Sequence, residues 1–173
     1  MITIRTESTA DYKSVFQLNY IAFENRNDEA ELVEKIRASD SFIPELSLVA
    51  EKNDEIIGHV LLSKARVIDN EKNYEVIVLA PIAVMPNYQK SGVGSKLIHE
   101  GLKRTAELGY KYVFLIGHPD YYPKFGFKPA RAFGFEIKQF DVPDAVFMMC
   151  DLNAGKSNNS INGELKYPDT FFN

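Results

Sequence analysis

Residues 74–117 limit the fold more than any other part of the chain. The run "YEVIVLAPIAVMP" is apolar almost throughout, with Val76, Ile77, Val78, Leu79, Ile82 and Val84, and so predicts a strand covered on both faces. "GVGSKLIHEGLKRTAELG" follows, where Val93, Leu97, Ile98, Leu102 and Ala106 form one helical stripe and Gly109 supplies a left-handed cap. "YKYVFLIG" is then a second buried strand. A strand, a helix and a strand in that order make a crossover unit with parallel strands, so the chain must build an α/β sheet with a helix on one face.

Pro81 does not suit the middle of a central strand, because proline offers no N–H to a ladder. The strand is therefore expected to bend or part from a neighbour near Ala80 to Ala83, leaving backbone groups unpaired. Upstream, a short alternating strand over residues 1–6 precedes a helix carrying Val15, Leu18, Tyr20 and Phe23 behind a Ser8 or Thr9 cap. "DEAELVEKIRAS" predicts a second short helix with Leu32, Val33 and Ile36 on one face. "LSLVAEKNDEIIGHVLLSKARVI" reads as a hairpin around "KNDE". Downstream come short strands in "FEIKQF" and "DAVFMMCDL", a loop in "NAGKSNNSING", and a closing "ELKYPDTFF".

At 173 residues with 45% hydrophobic and 12% aromatic content, one domain with one substantial core is expected. A net charge of −4 argues against a general nucleic-acid binder, so any anion site must be built locally. Cys150 has no cysteine to pair with and lies in "AVFMMC", where a buried inert thiol is expected. No window approaches the ~20 apolar residues of a membrane helix, and the start lacks a leader pattern, which gives a cytoplasmic expectation with no membrane partner. The three histidines and the cysteine show no metal-ligand spacing, and no metal site is expected.

Two glycines, Gly92 and Gly94, open the helix within "NYQKSGVGSKLI", although glycine is a poor helix former. A dinucleotide fingerprint fails because Leu97 stands where its third glycine belongs, and "CDLNAGKS" fails as a P-loop because Cys150 stands where its first glycine belongs. What remains is a strand, a Gly-containing turn and a helix N-terminus, whose free N–H groups and dipole suit a diphosphate. The plain alternative is a turn of no chemical consequence.

After "PIAVMP", this turn resembles the acyl-CoA signature [QR]-x-x-G-x-[GA] of the GCN5-related N-acetyltransferases (GNAT), with Gln89, Gly92 and Gly94 at its fixed positions. "HPDYYPKFGFKPA" is similar to the family segment ending Y-x-x-x-G-F, filled by Tyr122, Gly126 and Phe127. Together with "APIAVMPNYQKSGVG", it resembles the YhbS-like branch. The resemblance implies an α/β (α+β) fold: a mixed, splayed central sheet of about six to seven strands flanked by about four helices. It assigns residues 1–152 to a GNAT domain and 153–173 to a C-terminal loop and short extension packing on the same domain.

The chemistry implied by the resemblance is transfer of an acetyl group from acetyl-CoA to an amine by direct attack in a ternary complex, with CoA as product. A non-catalytic acyl-CoA binding or sensing domain is the alternative. By resemblance, the diphosphate meets Gln89, Lys90, Ser91, Gly92, Val93, Gly94 and Ser95, and the pantetheine arm pairs with backbone at Ile82, Ala83 and Val84. Tyr122 is the implied proton donor to the departing thiolate; its alternative is packing beside Tyr121 and Phe125. Glu24, Glu75, His118 and Asp120 are the expected acceptor contacts, and Glu24, Glu75 and His59 compete with a backbone carbonyl and water as base. The acceptor is expected to be a small-molecule or peptide amine and the protein a monomer or homodimer.

Overall fold

The hairpin around "KNDE" opens a nine-stranded sheet, seen in a computed structural model that describes residues 1–153 and 160–172. Residues 154–159 of the expected loop lie outside the described residues. Strands β1 (Thr3–Thr6), β2 (Ser47–Lys52), β3 (Glu55–Asp69), β4 (Lys72–Val84) and β5 (Tyr112–Ile116) lie side by side in sequence order. β6 (Lys128–Pro129) closes that edge through β8 (Phe147–Asp151), while β7 (Phe135–Ile137) pairs with β9 (Gly163–Lys166), which returns to pair with β3. Asn53 and Asp54 turn β2 into β3 with φ of 52° and 63°, the left-handed pair that a two-residue hairpin requires.

The sheet has more strands than the six to seven expected, because the two-residue β6 and the β7–β9 pair join it. Among the described residues there are three α-helices, α1 (Tyr12–Ala22), α2 (Asp28–Arg37) and α3 (Val93–Glu107), rather than four; single 3₁₀ turns such as Tyr122–Phe125 take the remaining helical segments. Leu97 and Ile98 of α3 pack on Leu48, Leu62 and Ile77, whereas Val15, Val33 and Ile36 of α1 and α2 cover Val49 and Leu61 on the other face. Along β4, Ile77 and Leu79 enter the α3 core and Val76 and Val78 the core of Phe114, Phe147 and Leu165, which explains its unbroken apolar sequence. Cys150 is buried, and burial pushes its thiol up to about 11.

The strand containing Pro81 bends as its sequence predicts. Between the pairs Val60↔Ile82 and Leu62↔Leu79, β3 spends one residue while β4 spends Ala80 and Pro81, joined by a cis bond. β4 and β5 run parallel but pair only at Ile77↔Val113 and Val78↔Phe114. Beyond Leu79 they diverge, and the β5-facing edge of β4 has no ladder partner.

A buried polar network ties α1 and α2 to the sheet. Arg37 Nε donates to Glu7 Oε1 at 3.1 Å, Ser47 Oγ donates to the same oxygen at 2.8 Å, and His59 Nε2 lies 3.1 Å from Ser47 Oγ. Because the serine proton is engaged by the carboxylate, the histidine must donate from Nε2 and accept at Nδ1 from the Asn19 amide, 3.4 Å away. His59 is therefore neutral; burial and then the Arg37 charge push its pKa down to about 3. This corrects its standing as a candidate base: at 0% exposure it reaches no substrate.

Its effect is on stability. Below its ordinary value of 6.5 the unfolded chain gains a proton that the folded chain refuses, so stability falls with pH between 6.5 and about 3. The slope is up to about 1.4 kcal/mol per pH unit. Melting of the wild type from about pH 7 to pH 5 is expected to fall more steeply than that of His59→Gln. Parallel curves would remove His59 from the acid limb.

Candidate active site

The turn between β4 and α3 is fastened at both ends. Gln89 Nε2 donates to Val84 O at 3.2 Å and Ser91 Oγ donates to Tyr88 O. Lys90 and Gly92 have φ of 62° and 91°, a conformation that costs glycine nothing sterically. A Cβ on Gly92 would meet nothing within 4 Å, so backbone conformation and not crowding selects that glycine. Among the described residues, no hydrogen bond uses the backbone N–H of Val93, Gly94 or Ser95, and no side chain caps α3. These donors and the helix dipole face an anion-sized approach.

The opposite wall comes from residues 117–127. A Cβ on Gly117 would stand 2.5 Å from the Tyr122 ring, so only glycine lets that ring lie against the end of β5. Tyr122 meets Tyr121 edge-on at 5.1 Å and Phe127 at 5.9 Å, while Phe125 packs on His99 of α3 at 5.1 Å. Tyr121 reaches across to the turn, its Oη 3.1 Å from the position of a Gly94 Cβ. The free N–H groups at the start of α3 thus lie beside Val84 and Tyr121, and Tyr121 packs in turn on Tyr122. Burial, and then Tyr121, push the Tyr122 hydroxyl up to about 12, so it stays protonated.

On the far side of Tyr122 lies a cleft of about 550 Å³ between the diverging strands. Leu79–Ile82 and Leu115–His118 form its floor beside Tyr122. Phe23, Glu29 and Leu32 of the α1–α2 corner form one wall; Phe140, Val142, Tyr167 and Phe171 form the other. Among the described residues, Glu29 is the one carboxylate that lines it, and neither lysine nor arginine does.

Ile82, Tyr122 and His118 line the cleft; Gln89 and Gly94 lie against Val84 beside it, and Ala83 follows Ile82 with its side chain buried. Glu24 follows Phe23 at the end of α1, exposed with φ of 59°, and neither it nor Asp120 lines the cleft. Glu75 is not in the site. It lies opposite Arg66, accepts a 2.7 Å hydrogen bond from Tyr110 Oη, and stands about 23 Å of strand from Ile82 at ~3.3 Å per residue. Sequence reasoning ranked Tyr121 below Tyr122 and did not single out Glu29, Tyr167 or Phe171. Glu29 is one of three acidic residues in the first turn of α2, where a favourable helix dipole is sufficient explanation for all of them.

A family model described as an acetyltransferase (GNAT) domain matches residues 3–130. The chain belongs to the GNAT acetyltransferases. Among relatives of this GNAT protein, the uncharacterised N-acetyltransferase YjhQ of Escherichia coli (strain K12) is 35% identical over 129 residues, 73% of this chain and 71% of that protein. YhbS of the same strain, likewise described as uncharacterised, is 34% identical over 128 residues, 73% of this chain and 74% of that one. The E. coli YhbS structure in complex with CoA superposes with a TM-score of 0.88 at 28% identity, covering 98% of this chain and 91% of that one. A GNAT family acetyltransferase from Brucella melitensis in complex with acetyl-CoA gives 0.78 at 27% identity over 99% and 98% of the two chains. The splayed sheet expected from Pro81 is thus the GNAT sheet.

Proposed function

We propose that this GNAT acetyltransferase transfers the acetyl group of acetyl-CoA to an amine, by direct attack within a ternary complex. The supporting observation is the juxtaposition of the unpaired N–H groups at the start of α3, the gap between β4 and β5, and the apolar cleft beside Tyr122. When bound, acetyl-CoA supplies an activated acyl group whose transfer releases a thiolate.

Each part of the chain then has a task. The amides of residues 90–95 hold the diphosphate, and Gln89 keeps that turn against the strand end. The unpaired edge at Ile82, Ala83 and Val84 offers its backbone groups to the pantetheine amides. Tyr121 lies over the turn. The Tyr122 hydroxyl, neutral at physiological pH, donates a hydrogen bond where negative charge develops on sulfur. Its raised pKa suits a donor that holds its proton until a buried thiolate, itself made more basic by desolvation, takes it. The apolar floor of Leu79–Ile82 and Leu115–Ile116 keeps water from competing with the amine.

CoA at a hundredfold excess over its Kd should stabilise the protein by about 2.7 kcal/mol, a rise of roughly 5–10 °C in Tm for a chain this long. No shift at millimolar CoA would overturn the cofactor assignment. Thiol release on adding amines separates an enzyme, which releases it, from a binding domain, which does not.

A further inference from the structure

We infer that the acceptor is a small primary amine carried on a flat apolar body, with the Glu29 carboxylate holding its ammonium nitrogen. This rests on the acetyl-transfer reading above and names the substrate class of that same site. The cleft supplies the body's surroundings: Phe23, Tyr122 and a rigid aromatic wall in which Tyr167 meets Phe140 at 5.3 Å and Phe171 at 4.9 Å, both edge-on. Aromatic rings 4.5–7 Å apart add attraction beyond area burial, and a flat guest extends the same arrangement.

The charges in the cleft sort amines sharply. Glu29 Oε1 is closed to solvent and has no hydrogen-bond donor, so the 24% exposure of the side chain belongs to the rest of it; Oε2 stands 3.9 Å from an exposed Arg26 guanidinium, beyond hydrogen-bond reach. A carboxylate left so is under-satisfied, and an ammonium N–H reaching Oε2 is the donor that would complete it. With one carboxylate in the lining, a polyamine would bring further charges into an apolar space. Among the described residues neither lysine nor arginine lines the cleft, and Arg26 beside it already faces Glu29, so the carboxylate of a free amino acid is left without a cation of its own. A volume of about 550 Å³ is that of a small-molecule site.

The test is thiol release from acetyl-CoA with phenethylamine and tryptamine, against spermidine, free amino acids and a lysine-containing peptide. The two aryl amines should exceed every other acceptor in kcat/KM by about 100-fold or more, the effect of stranding one charge in an apolar site. Glu29→Gln should raise KM for the aryl amines by about 10- to 100-fold while kcat and KM for acetyl-CoA stay near wild type, and Glu29→Asp should recover part of the loss. Glu29→Gln keeps the size of a half-buried side chain that makes no hydrogen bond through Oε1, so the substitution leaves the fold intact, as melting will verify. Preference for spermidine, amino acids or the peptide would overturn the inference while acetyl transfer stands. An unchanged KM in Glu29→Gln would overturn the role of Glu29. Failure of every amine in a preparation that binds CoA would overturn both readings.

Discussion

Gly94→Asp will abolish measurable CoA binding and leave a folded protein. A side chain at position 94 points toward Tyr121, its Cβ 3.1 Å from Tyr121 Oη and 3.9 Å from Val84 Cγ2. A carboxylate there competes for the free N–H groups of the α3 N-terminus and repels a diphosphate, so steric block and charge act together. The same carboxylate lies in the first turn of α3, where a negative charge favours the helix and glycine disfavours it. Unliganded stability should therefore hold or rise once Tyr121 has shifted, while affinity for CoA falls by about 100-fold or more, the cost of setting like charges together in a partly desolvated site. Calorimetric titration and melting on one preparation separate the two effects. Wild-type affinity in a folded Gly94→Asp protein would reduce the turn to a structural element.

Tyr122→Phe should lower turnover by roughly 10- to 1000-fold with little change in CoA affinity, because it deletes the proton donor proposed above without deleting the ring. The ring's contacts with Tyr121, Phe127 and the backbone at Gly117 are all kept by phenylalanine. The hydroxyl makes no hydrogen bond with another described residue, so its removal strands no partner and melting should be unchanged. Loss of stability without a selective loss of kcat would mark Tyr122 as a packing residue alone.

What was legible in the sequence is what short-range chemistry determines. The alternating environments of β4 and the stripe of α3 are written within single segments, and Pro81 marks where the ladder with β5 ends. The signature turn is local at Gly92, whose φ of 91° acts on its own backbone, whereas Gly94 answers to Tyr121 from another segment. The acceptor cleft is not local. Phe171 meets Glu29 and Leu32 only because β9 returns to pair with β3 between Arg66↔Lys166 and Ile68↔Glu164, and no spacing in "ELKYPDTFF" announces that return. His59 and Glu75 failed for a related reason. On strands covered on both faces, residue type alone does not say which side or which end a polar group serves: His59 entered the Glu7–Arg37 network and Glu75 the Tyr110 end of the sheet.

β9 and the loop before β8 give the cleft a second bank, drawn from a different part of the chain than the first. The family match ends at residue 130, whereas Phe140, Val142, Tyr167 and Phe171 all lie beyond it. The bank made by β4 and the start of α3 is local in sequence, whereas the facing bank is assembled from the last third of the chain, so substitutions at these four positions can reshape the cleft without touching the turn that opens α3.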